Sequence, residues 1–211
     1  MIELDHVLIA VADLDAAAAD LDRRAGLASV AGGRHEAWGT ANRIVPLGAT
    51  YLELIAIVDP KLAATTTVGR WIERTAKGRP MGWVLRTTDI DAVTDRLGLT
   101  AVAGSRLTPD GRTLTWRTAG IDEASAEPSL PFFIEWGPGT PHPGTASVAH
   151  RAGAVRLAGI DVTGDGERLV AWLGDVRLGD GRLPVAVTAG EPRVRGVRLA
   201  TDSGERVIEA V

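Results

Sequence analysis

The stretch "DLDAAAADLDRRAG", residues 13–26, follows an apolar run at residues 2–12, and the pair decides how the rest of the chain is read. Asp13 stands where a helix N-cap belongs, the interior is rich in alanine, and Gly26 stands where a helix ends. The run before it is apolar at nearly every position, so residues 2–12 are predicted to be a strand buried on both faces. At an offset of 76 residues the tetrad Asp13-Leu14-Asp15-Ala16 returns as Asp89-Ile90-Asp91-Ala92, again behind a strand-like run, in "MGWVLRTTDIDAVTDRLGL" (81–99). A strand followed by an Asp-capped helix therefore occurs twice.

Residues 27–60 lie between the two copies, with turn punctuation at Gly32-Gly33 and at Pro46-Leu47-Gly48, and hold up to three short strands. The first unit reads β-α-β-β-β. A linker helix is predicted within residues 66–78. After the second helix, residues 104–118 read as a hairpin turning at Pro109-Asp110-Gly111, and "LPFFIEWGP" (130–138) reads as a closing strand. Repetition at a period near 80 residues predicts two similar halves, residues 1–60 and 80–137, within a paired region 1–140. A Gly- and Pro-rich linker at 136–153 leads to residues 150–211, which begin strand-then-helix once more and read as a shorter, partial third unit. The expected class is α+β with repeated β-α-β-β-β units.

Two residues break the apolar pattern in similar places. Glu53 interrupts "TYLELIAIV" (50–58) and Glu135 interrupts "LPFFIEWGP". A buried lone carboxylate costs several kcal/mol, in rough terms, unless it is paired, protonated, solvated by a cavity or bound to a metal.

Composition removes several function classes. Acidic residues outnumber basic ones, 27 to 23, and no basic run offers a nucleic-acid backbone a continuous footing. The longest apolar run is far too short for a membrane span. The chain has no cysteine, which excludes disulfides, thiol chemistry and cysteine-ligated zinc. The N-terminus begins acidic and lacks the cleavage pattern of a secretory leader, so a cytoplasmic protein is expected.

With these stretches in view, the sequence resembles the vicinal oxygen chelate superfamily, in particular its glyoxalase-like domain proteins. The resemblance rests on "LDHVLIAVADLDAA", on "LPFFIEWGP" and, most specifically, on the His-x-x-Trp-Gly-Thr-x-Asn run from His35 to Asn42. It implies paired β-α-β-β-β modules whose curved mixed sheets enclose a cleft, with metal ligands on the first and last strands of each module. His6, Glu53 and Glu135 match such ligand positions. One imidazole and two carboxylates suit a divalent ion such as Mn, Fe, Ni, Zn or Mg, which would polarise a carbonyl and ease proton removal from the adjacent carbon. Glu53 and Glu135 are then the candidate proton-transfer groups; no organic cofactor is indicated.

The match is incomplete at Gly82, where the repeat offset calls for the partner of His6. Its loss keeps a metal-free binding protein of the bleomycin-resistance type open beside a lyase, isomerase or epimerase acting on a small oxygenated metabolite. A dioxygenase is the weaker alternative, because its usual two-histidine, one-carboxylate set differs from the matching positions. For His6 itself a hydrogen-bonded core histidine is the plain alternative. His35, Trp38, Asn42, Trp83 and Arg86 are candidate substrate contacts, with His35 also a candidate substitute ligand or acid-base group; Trp83, Trp116 and Trp136 fall on predicted strands as core or, for one or more of them, as an apolar ligand wall; His142 and His150 read as exposed linker residues. The third unit is expected either to cover the outside of the first two or to pair with its counterpart in a homodimer.

Overall fold

The computed structural model of the chain describes residues 1–176, 178 and 183–211. The paired region forms one closed eight-stranded barrel. Its first half comprises β1 (Ile2–Ala10), α1 (Leu14–Ala25), β2 (Val30–His35), β3 (Thr40–Pro46) and β4 (Tyr51–Ile57). Helices α2 (Pro60–Ala63) and α3 (Thr67–Arg74) then lead to β5 (Pro80–Thr87), α4 (Ile90–Leu97), β6 (Val102–Leu107), β7 (Thr113–Ala119), α5 (Ile121–Ala126) and β8 (Phe132–Trp136). Around the barrel the order is β1-β4-β3-β2-β6-β7-β8-β5. The first strand of each half pairs in parallel with the last, β1 with β4 and β5 with β8, and β1 meets β5 antiparallel. Closure on the far side is narrow: β2 and β6 meet at Arg34 and Leu107.

The caps explain the helices. The Asp13 side chain accepts from the backbone N–H groups of Asp15 and Ala16, and Gly26 closes α1 in the left-handed region. For α4 the Asp89 side chain accepts from the Ala92 N–H, and Gly98 closes the helix in the left-handed region. Strand alternation then divides the side chains into two layers. Val7, Ile9, Leu52, Leu54, Trp83, Leu85 and Phe133 face outward into a core shared with α1, α4 and the C-terminal unit. Leu8, Ile55, Val84, Phe132 and Ile134 belong to a second core with Val68, Trp71 and Ile72 of α3. That helix closes one end of the barrel.

Residues 155–208 form β9 (Val155–Thr163), α6 (Gly166–Leu173), β10 (Val185–Thr188), β11 (Arg193–Thr201) and β12 (Gly204–Ile208). The order of elements repeats, but the sheet order is β10-β9-β11-β12, with the first strand in the interior of the sheet, not at its edge. This sheet packs on the outside of the barrel. Trp172 Nε1 donates to the Pro131 carbonyl at 2.8 Å, its ring lies 6.2 Å from that of Phe133, and the Val211 N–H donates to the Gly78 carbonyl at 2.9 Å. The covering expected of the third unit is thus supplied within one chain. No helix among the described residues is long and apolar enough to cross a membrane.

Candidate functional site

The barrel interior carries one polar cluster, built almost wholly from the first half. On β1 the pairing with β5 slips between Leu4 and His6, so that the extra residue, Asp5, sits at a bulge. A bulge lets two successive side chains turn the same way. Asp5, with 0% of its surface exposed, accepts from His6 Nδ1 at 2.6 Å, from His142 Nε2 at 3.0 Å and from Trp136 Nε1 at 3.1 Å. His6 presents its other nitrogen, Nε2, to Glu53 Oε2 at 3.2 Å, and stacks on Tyr51 at 4.3 Å between ring centroids.

Glu53 points inward from β4 and is buried. Its Oε1 accepts from Asn42 Nδ2 at 2.6 Å, and Asn42 Oδ1 accepts from Arg106 Nη1 at 2.9 Å. At the end of β2, His35 turns its Nε2 toward the same Oε1 at 3.9 Å, while its Nδ1 lies 3.0 Å from Thr40 Oγ1. Trp38, in the turn between β2 and β3, stands 5.1 Å from His35 and 6.2 Å from Trp116. The His-x-x-Trp-Gly-Thr-x-Asn run therefore folds into one wall of the cavity, with Thr40 fixing the histidine. Across from it the second half supplies apolar and aromatic groups, among them Phe132, Ile134, Trp116 and Trp136.

The two histidines are pushed in opposite directions. Burial opposes charge on His6, but its hydrogen bonds to Asp5 and Glu53 outweigh that and raise its pKa to about 8. Burial lowers that of His35 to about 4, with the Glu53 charge opposing too weakly to restore it. Burial alone would raise Glu53; the hydrogen bond and charge of His6, with further help from His35 and Asn42, bring it down to about 2 instead. Asp5 is likewise held well below the usual carboxylate range by His142 and His6 against the effect of burial. At neutral pH the cluster holds a cationic His6, a neutral His35 and an ionised Glu53.

Several candidates lie elsewhere. Glu135 is not in the cavity: along β8 the inward positions are Phe132, Ile134 and Trp136, so Glu135 faces out, 3.4 Å from Arg117 Nη1 and 3.4 Å from the Ile90 N–H at the start of α4. It therefore does not face Glu53. Trp83 is buried in the outer core, where its Nε1 donates to the Ser129 carbonyl at 3.1 Å. Arg86 binds the Glu3 carboxylate through Nε at 3.0 Å and the Ala49 carbonyl at 2.6 Å, on an outer groove. His142 is not a free linker residue but a partner of Asp5, and His150 is pinned between the Ala28 N–H and the Pro46 carbonyl. Gly32-Gly33, predicted as a turn, lie within β2 at a register slip. Trp116 and Trp136 line the cavity as the apolar wall expected of one or more of the tryptophans, and Asp5, Tyr51, Arg106 and His142 are the members that sequence reading did not place in the site.

A metal shared by both halves does not fit these residues. At Gly82 the space for a side chain is filled by the Trp71 indole from α3, and the inward residues nearby on β5 and β8 are Val84, Phe132 and Ile134. His6, His35 and Glu53 have the chemistry of a ligand set. Among the described residues, however, no three His, Asp or Glu side chains are placed to hold one ion. The Glu53 oxygen nearest His35 is already taken by Asn42.

The sequence profile of the glyoxalase-like domain matches residues 4–176. The chain belongs to the glyoxalase-like domain family. No curated protein matches it. Among solved structures, a hypothetical protein from Staphylococcus aureus is similar with a TM-score of 0.68 at 16% identity, over 91% of this chain and 88% of that one. Methylmalonyl-CoA epimerase from Mycobacterium tuberculosis is similar with a TM-score of 0.46 at 22% identity, over 68% of this chain and 92% of that one. The first of these shows a shared fold along nearly the whole glyoxalase-like chain.

Proposed function

We propose that this glyoxalase-like protein is a proton-transfer enzyme, an isomerase, epimerase or lyase acting on a small oxygenated metabolite at a carbon beside a carbonyl. The observation that carries the reading is the placement of two imidazoles about one buried carboxylate, His6 Nε2 at 3.2 Å from Glu53 Oε2 and His35 Nε2 at 3.9 Å from Glu53 Oε1. Opposed protonation preferences assign their roles. His35, donating Nδ1–H to Thr40, keeps a lone pair on Nε2 and removes the proton. His6, cationic and held by Asp5 through Nδ1, donates its Nε2–H, shared with Glu53 in the resting site, toward the oxygen on which enolate charge develops. Glu53, ionised and hydrogen-bonded, is a weaker base than His35; it orients His6, while Thr40 orients His35. Return of the proton to the carbon gives an isomer or epimer, and loss of a group from the next carbon gives a lyase.

The free space beside these groups is about 30 Å³, room for a water molecule or two. A substrate therefore enters only with movement of the aromatic rings. Trp116 and Trp136 line both this cavity and an outer groove of about 760 Å³, which makes them the natural partition.

A second reading, metal-free sequestration of an aromatic or apolar compound, draws on the same rings: Trp38, Tyr51, Trp116, Phe132 and Trp136 all line the cavity. One experiment separates the two. The protein, purified without a histidine tag and dialysed against chelator, is incubated in D2O with a panel of small carbonyl compounds, and α-carbon deuterium is followed by NMR. Enzyme action predicts exchange that falls by roughly 10²–10⁴ in His35→Gln. Exchange at the wild-type rate in His35→Gln and His6→Gln would defeat the assignment, and binding with no exchange would favour sequestration. Every side chain of the cluster comes from one chain, so the reading asks for no second copy.

A further inference from the structure

Arg106 extends from β6 into the polar cluster and is 5% exposed. Its Nη1 donates to Asn42, but its Nε has no hydrogen-bond partner, and among the described residues no carboxylate lies within ion-pair distance of it. A guanidinium offers five N–H donors in a fixed fork, and a buried charged donor left unpaired is costly. Arg198 provides a contrast within the same chain. Its Nε also lacks a hydrogen bond, yet the Asp161 carboxylate is 3.1 Å away. Arg106 has no such neighbour.

The strands are shaped around this arrangement. A Cβ on Gly32 of β2 would collide with both Asn42 Oδ1 and Arg106 Nη1, so the glycine makes the space they occupy. The nearest carboxylate in the hydrogen-bond chain, that of Glu53, is kept from Arg106 by Asn42, which donates to Glu53 at 2.6 Å and accepts from Arg106 at 2.9 Å. A direct Arg106–Glu53 pair would neutralise the guanidinium and occupy a bidentate face of it. With the amide between them, the guanidinium stays close to the reacting groups while its remaining N–H groups are free for something else. Arg106 also lines an outer groove of about 400 Å³ beside Pro109, His142 and Pro143, so it stands between inside and outside.

We infer that Arg106 binds the carboxylate of a small monocarboxylic acid whose body lies against the aromatic rings of the cavity. The inference rests on the proposal that this cavity is the substrate site, and it gives the substrate class. A planar carboxylate matches the guanidinium fork with two parallel N–H···O bonds, a geometry an ammonium cannot reproduce. Fixing that end of the molecule places the rest of it beside His35 and His6.

The test is equilibrium binding to the full chain at neutral pH and low salt, read by calorimetry and by tryptophan fluorescence. The probes are propanoate, pyruvate and benzoate, with propanamide and benzamide as neutral counterparts and inorganic phosphate as a competing anion. We expect at least one acid to bind, its amide to bind at least tenfold more weakly, and Arg106→Gln to lose the acid by at least tenfold. Arg106→Lys keeps the charge without the fork and should recover binding only in part. Equal binding of acid and amide, phosphate binding in preference to every acid, no acid binding at millimolar concentration, or full affinity in Arg106→Lys would each overturn the inference. If Arg106→Gln does not fold, the acid–amide comparison on the unaltered protein and the lysine variant still decide. Carboxylate binding without α-carbon exchange would sink the enzyme reading and leave this one standing. Exchange on neutral carbonyl compounds, with no preference for acids, would do the reverse.

Discussion

The Trp71 indole occupies the space that a side chain at Gly82 would need. Trp71 is almost fully buried with Ile72 and Met81 in the inner core, so it has nowhere to retreat without opening the end of the barrel. Gly82 is thus a packing requirement of α3 and not merely a lost ligand. Gly82→Ala should destabilise the protein by about 1–3 kcal/mol through overpacking, and Gly82→His should do at least as much instead of creating a metal site. Urea unfolding of both variants checks this. A Gly82→His protein of wild-type stability that retains a stoichiometric divalent ion after dialysis would contradict it.

Glu53 and Glu135 should behave differently when each is changed to glutamine. Glu53 is a buried ion-pair partner of His6, and its replacement should abolish proton transfer and cost about 3 kcal/mol of stability, because a buried imidazolium loses one of its two counter-charges. Glu135 is partly exposed beside Arg117, so Glu135→Gln should cost less than about 1 kcal/mol and leave α-carbon exchange intact. Parallel thermal melts and exchange rates distinguish them. Loss of exchange in Glu135→Gln with an intact fold would return that residue to the site.

Asp5 gathers His6, His142 and Trp136 as donors, and asparagine at this position would keep one acceptor oxygen but remove the charge that faces two histidines and put an NH2 donor against one of them. Asp5→Asn should therefore lower the pKa of His6 from about 8 toward or below 6.5 and destabilise the fold by about 3–5 kcal/mol. An NMR titration of the His6 ring reports the first effect and a melting curve the second. An unshifted His6 would mean that Glu53 alone sets its charge.

What could be read in the sequence depended on how local its cause was. The helices α1 and α4 were legible because a single Asp side chain caps each start and a glycine ends it, all within the same short stretch. Glu53 was legible because a charge within an apolar strand has few explanations. Glu135 misled because the two halves are not spaced alike. Glu53 follows Asp13 by 40 residues and Glu135 follows Asp89 by 46, the second interval containing α5. With side chains alternating along the strand, similarity of surroundings does not fix which face a residue takes, and a slip of one position reverses it. Asp5 depends on a bulge, Arg106 on the meeting of β2 with β6, and His142 on a linker folding back over 137 residues of chain to reach Asp5. None of these has a signature in a single stretch.

Stability should be greatest near pH 6.5 as far as the two cavity histidines control it, falling on both sides for different reasons. His6 has a folded pKa raised from 6.5 to about 8, so its contribution is complete below pH 6.5 and is lost as pH climbs through 8; the shift is worth about 2 kcal/mol. His35 has a folded pKa lowered from 6.5 to about 4, so its neutral ring favours the folded state above pH 6.5, and that advantage is lost as pH falls through 4, about 3 kcal/mol in all. Glu53, also lowered, adds a further loss as pH drops from its ordinary range toward about 2. Other groups contribute to the whole curve, and the variants isolate these two. His6→Gln should flatten the alkaline limb and spare the acid one, while His35→Gln should flatten the limb between pH 6.5 and 4. Unfolding free energies measured across pH 4–9 for the three proteins provide the check. Unchanged slopes in both variants would show that neither imidazole holds the charge state on which the assignment of acid and base depends.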